Sequence, residues 1–196
     1  VVFSDEEEKL SSITEAHFAV YDLRLANLTK RELIAAQVIS AFEVYNDSNV
    51  LAILTGLSKA EIEKIIINLQ FNNIIQKIIS GQSLVFTSEA IKNYIYASVE
   101  NKTKFHNKIA SILSKKLPSF NRMEFARQFE LAGEYELCYK TTMEEITEAE
   151  RHSTFAYMQR VLDHLIKLPL NKNLIDSAKI KLAEVYLKLG DVQADE

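Results

Sequence analysis

Four histidines and one cysteine are the side chains best suited to chemistry in this 196-residue chain, and their spacing gives them little to do. His17, His106, His152 and His164 are scattered; the closest two, His152 and His164, stand twelve residues apart with no cysteine or second carboxylate in register. Zinc motifs hold their ligands at tighter spacings. The pattern therefore predicts surface or half-buried helical histidines and no metal. Cys138 has Glu134, Glu136 and Lys140 as neighbours in sequence. A reactive thiolate needs an electropositive setting, so this one is expected to be a packed thiol acting as a small hydrophobe. No two glycines stand at phosphate-loop spacing ahead of a lysine. The residues thus lead us to expect no catalytic group and no cofactor in this segment, and the chain is not expected to be an enzyme.

Charge is patterned more informatively. From 101 to 127, Lys102, Lys104, Lys108, Lys115, Lys116, Arg122 and Arg127 stand against Glu124 alone, a net of +6. From 128 to 150, seven glutamates stand against Lys140, a net of −6. Two adjacent helical units with complementary solvated faces would explain this, each exposed pair contributing roughly 0–1 kcal/mol. The functional alternative is a basic patch of Lys102, Lys104, Lys108, Lys115 and Arg122, docking an acidic protein partner or an ATPase domain of the same polypeptide. Phe125, Phe129, Tyr135, Tyr139, Phe155 and Tyr157 fall at helical spacing, which more often means core than a peptide groove.

The elements that must position these residues are mostly helices. Apolar residues from Leu10 through Leu28 recur in steps of three and four. Thr29-Lys-Arg-Glu32 and Ser58-Lys-Ala-Glu61 are capping boxes, in which each end residue satisfies the other's free backbone N–H. Asn46-Asp47-Ser48 caps a short helix that Gly56 ends. After Asn72 the period changes: Ile74–Ile79 and Ser83–Thr87 flank Ser80-Gly81-Gln82, the signature of a hairpin. Helices resume over 88–99 and 102–117, where Pro118 stops the run, then over 123–132, 134–150, 153–168 and 175–189. The fold is expected to be mainly α: a linker helix (1–27), a winged-helix unit with one short β-hairpin (28–98), and antiparallel helical hairpins (99–196), incomplete at the C-terminal end. Only four glycines and two prolines occur, too few for an all-β fold rich in tight turns.

The net charge is −4. A dedicated DNA-binding domain usually carries a basic excess. The segment in the recognition-helix position, 58–72, has Lys59, Glu61, Glu63 and Lys64 with no arginine, so nucleic acid is not the expected partner. The absence of any apolar run of membrane-spanning length predicts a soluble chain without a membrane partner. The lone cysteine suits the cytoplasm. A first residue that is not Met suggests a segment boundary.

Two stretches carry a resemblance. Leu25-Ala-Asn-Leu28-Thr-Lys-Arg-Glu32-Leu, Leu57-Ser-Lys-Ala-Glu61 and Leu69-Gln-Phe-Asn-Asn-Ile74-Ile together resemble the winged-helix region that follows the nucleotide-binding domain of bacterial STAND-type ATPases. Ala126-Arg-Gln-Phe129-Glu-Leu-Ala-Gly133-Glu-Tyr135-Glu-Leu-Cys-Tyr139 is similar to a tetratricopeptide junction, and Leu182-Ala-Glu-Val-Tyr186-Leu-Lys-Leu-Gly190-Asp191 repeats it. The two glycines lie 57 residues apart, against a period of about 34, so an irregular helical pair is expected between them. The resemblance implies a regulatory and protein-interaction module that couples an upstream ATPase to a helical-repeat array, within a signalling protein of the kinase, cyclase or transcription-regulator kind. A fragment of a DNA-binding transcription regulator is the alternative. Where that family has an arginine–histidine pair, this sequence has Thr87-Ser88, so the resemblance brings no nucleotide contact with it.

Overall fold

Short capping sequences start several helices of the computed structural model, which describes residues 19–42, 47–77, 83–117 and 121–194. The expected stripe from Leu10 to His17 and the turn at Ser80-Gly81-Gln82 lie outside them. The fold is mainly α with one short antiparallel hairpin. It divides into two units, Val1–Glu100 and Asn101–Glu196.

In the first unit α1 is described over 19–26 and is followed by α2 (Lys30–Ser40), α3 (Ser48–Thr55) and α4 (Lys59–Phe71). Then come β1 (Ile75–Lys77), β2 (Leu84–Phe86) and α5 (Glu89–Ala97). Both capping boxes form. In the first, Glu32 accepts from the Thr29 backbone at 2.6 Å while its other carboxylate oxygen accepts from the Asn68 amide at 2.7 Å. A single buried carboxylate thus closes the start of α2 and ties it to α4. Burial alone would raise its pKa; hydrogen bonds from Thr29 and Asn68 outweigh that and lower it. Asp47 caps α3 by accepting from the backbones of Asn49 and Val50.

Ala36, Ile39, Leu51, Ile62, Leu69, Ile91 and Ile95 meet in the core. Three residues a strand make a hairpin too short to stand alone, and this one is held by packing against α2, α4 and α5. Its register pairs Ile75 with Phe86, Gln76 with Val85 and Lys77 with Leu84, and turns Ile75 and Leu84 inward. Thr87 and Ser88 have structural work: the Thr87 hydroxyl donates to the Asn73 carbonyl at 2.7 Å, and Ser88 caps α5.

The second unit contains α6 (Lys102–Lys116), α7 (Arg122–Leu131), α8 (Tyr135–Arg151), α9 (Phe155–Leu165) and α10 (Lys172–Ala194). Each packs on the next. Side-chain pairs give their directions. His106, early in α6, meets Gln128, late in α7, so these two run antiparallel. Glu136 meets Asn171 just before α10, and Glu150 meets Lys181 and Lys188 further along it, so α8 and α10 run parallel with α9 reversed between them. The result is an up-and-down array in which α7 also touches α9 and α8 also touches α10.

The reversals after α7 and α8 use one device. Gly133 (φ 74) and Ser153 (φ 54) take the left-handed conformation. After α7 the N–H of Glu134 returns to Phe129 and that of Gly133 to Glu130; after α8 the N–H of Thr154 returns to Ala149 and that of Ser153 to Glu150. These are Schellman closures. Asn73 (φ 53) closes α4 in the same way.

Gly190 corrects the sequence reading. Expected as a turn, it lies inside α10, which continues to Ala194. Glycine inside a helix costs only about 1 kcal/mol relative to alanine, and a turn gains nothing unless a following helix packs back.

A Cβ added at Gly133 meets nothing within 4 Å, so only the backbone resists it. Gly133→Ala should therefore destabilise the second unit by about 1 kcal/mol, and Ser153→Gly should stabilise it by up to about 1 kcal/mol. Urea denaturation of the two variants should move in opposite directions.

Candidate functional site

The lysine-rich α6 starts at Asn101, whose side chain accepts from the Lys104 backbone at 2.9 Å. Its buried face is His106, Ile109, Ala110 and Leu113. With 3.6 residues per turn, Lys104, Lys108, Ser111 and Lys115 fall within about 60° of one another on the opposite side. All three lysines are exposed. Lys104 and Lys108 line a shallow open depression together with Thr103, Asn107, Ser111 and Ile112. Lys115 and Lys116 also suit the negative end of the helix dipole.

The other two residues of the expected patch stand apart. Lys102 lies one turn before His106, on the same side of α6 and away from the other lysines, and is close enough to His106 to oppose its protonation. Arg122, at the start of α7, is 3.9 Å from Glu145 of α8. The structure therefore groups Lys104, Lys108 and Lys115 and separates Lys102 and Arg122 from them.

Six of the seven glutamates of 128–150 meet side chains other than these lysines. Glu130 meets His164 at 2.9 Å. Glu148 meets Arg151 and His152. Glu150 accepts from Lys181 at 2.7 Å and from Lys188, and those two cations hold its carboxyl below the usual range. Glu134 accepts from Asn107, not from a lysine. Among the described residues, no ion pair engages Lys104, Lys108 or Lys115.

Beneath the lysine face lies a polar network that the sequence did not reveal. His106 was expected at or near the surface; it is 0% exposed, as is Gln128, and Glu124 is buried beside them. Gln128 donates to Glu124 at 2.7 Å, which turns its carbonyl oxygen toward His106 Nδ1 at 2.6 Å. That geometry assigns the proton of the neutral ring to Nδ1. Arg127 donates to Glu124 at 3.2 Å. Burial pushes the His106 pKa down; the Gln128 bond opposes the shift, while Arg127 and Lys102 add to it. The only sequence signal was helical phase, which puts His106 on the same side as Ile109 and Leu113.

His152 and His164 are exposed, and His17 lies outside the described residues. Cys138 is buried, and its thiol is pushed up to about 11, chiefly by burial. Phe125 and Phe129 are buried, while Tyr135, Tyr139, Phe155 and Tyr157 are half-buried. In the first unit, the outer face of α4 presents Ile67 (66% exposed) and Phe71 (83% exposed) beside Glu63 and Lys64.

No family model, curated protein or solved structure matches the chain. Its chemistry is read from this geometry alone. Among the described residues no helix is long and apolar enough to cross a membrane.

Because His106 is neutral when folded and its pKa lies below the ordinary 6.5, its contribution to stability is complete above that value and is lost as pH falls below it. Protection of the α6 and α7 amides, corrected for the intrinsic pH dependence of exchange, should fall as pH drops below 6.5. His106→Gln should flatten that part of the profile. An unchanged slope in the variant would assign the effect to another group.

Proposed function

We propose that this chain is a non-catalytic regulatory and protein-interaction module of a larger signalling ATPase of the bacterial cytoplasm. In this reading the first unit is a winged helix and the second a tetratricopeptide-like array. The nucleotide-binding domain lies N-terminal to both. Nucleotide state would shift the relative population of arrangements of these rigid parts.

The observation that carries the reading is the order of elements: three helices, an immediate short hairpin, then antiparallel helices reversed through left-handed turns. The outer face of α4 supports protein contact over base reading. Its charged residues sum to zero, and the large apolar side chains of Ile67 and Phe71 are exposed on it. Specific base contacts rely on arginine, lysine, asparagine and glutamine reaching the groove, whereas exposed apolar side chains are common at protein interfaces.

Random duplex DNA at low salt should give no gel shift with this chain, and a tight, salt-sensitive complex would favour the transcription-factor reading. On the intact polypeptide, replacing ADP by a non-hydrolysable ATP analogue should change amide exchange in the first unit. Identical patterns in the two nucleotide states would defeat the coupling reading.

A further inference from the structure

We infer that the Lys104–Lys108–Lys115 face of α6 docks an acidic helix of a protein partner. This rests on the reading of the chain as an interaction module and names the contact surface and its chemistry. Three observations carry it. First, the three cations form one stripe, eleven residues from end to end, or about 16 Å along the axis. Second, Glu130, Glu145 and Glu150 are held by α9, Arg122 and α10, Glu134 accepts from Asn107 beside the stripe, and among the described residues the stripe has no ion pair.

Third, α6 opens the array of the second unit, with its other side on α7. The unit grows by laying helix on helix, so the shape that fits the outer face of α6 is another helix. Asn107 and Ser111 leave low ground between the lysines, and half-buried Ile112 gives it an apolar edge. A partner helix with carboxylates on one side at steps of four, three and four matches the stripe in either direction, because that spacing reads the same from both ends.

The test uses two fluorescein-labelled, alanine-rich helical peptides, each with four glutamates. One carries them at i, i+4, i+7 and i+11; the other spreads them around the helix. Fluorescence anisotropy with this chain at low salt should favour the matched peptide by at least about fivefold, and the triple variant Lys104→Glu, Lys108→Glu, Lys115→Glu should weaken it by at least about tenfold. Lys59→Glu with Lys64→Glu, on the other unit, should leave it unchanged. Should the reversal variant lose helicity by circular dichroism, the triple glutamine variant replaces it, with a smaller loss expected in the same direction.

Equal binding of the two peptides, or binding that survives loss of the three lysines, overturns the inference. So does full displacement of the matched peptide by a DNA oligonucleotide at equal charge, which would make the stripe a nucleic-acid surface. Failure here leaves the nucleotide-dependent exchange of the first unit untouched, so the two readings fall separately.

Discussion

One backbone conformation lets the chain turn away at the ends of α4, α7 and α8. A helix with one apolar stripe is stable only if the chain reverses within a few residues and lays the next stripe against it. At Asn73, Gly133 and Ser153 the reversal depends on one residue at positive φ, with two N–H groups returned to the preceding turn. Only glycine takes this conformation freely. Asparagine tolerates it, and serine adopts it at a cost. The unit therefore accepts local strain at Ser153 to gain burial of Met158, Leu162 and Leu165 along α9.

This hierarchy explains which parts of the fold were legible. Caps are local: Thr29 with Glu32, Ser58 with Glu61, and Asp47 each lie within four residues of the groups they satisfy, so the sequence alone located three helix starts. Gly133 was readable for the same reason. Ser153 was not, because serine in a left-handed turn has no composition signal and is imposed by the packing of α9 on α8. Gly190 shows the converse: the residue type that permits a turn does not demand one.

The candidate site was legible in part. Clustering of Lys104, Lys108 and Lys115 follows from helical phase. The same phase puts Lys102 on the His106 side of α6, a distinction that a linear count of charges erases. The pairing of Arg122 with Glu145, and the capture of Glu150 by α10, are contacts between helices distant in sequence and leave no local trace. His106 and Gln128 are the sharpest case. A histidine is rarely fully buried, and here a glutamine 22 residues away makes that possible.

Glu150 has a consequence for the last helix. Lys181 and Lys188 are seven residues apart, two turns along the same side of α10, and both reach this one carboxylate. An anchor of that form fixes the roll of a cylinder about its long axis. Ala178, Leu182 and Val185 are thereby aimed at α9, and Ile180 and Leu187 are left facing outward. The orientation of a 23-residue helix is thus keyed by one acidic side chain on a helix two places earlier in the chain.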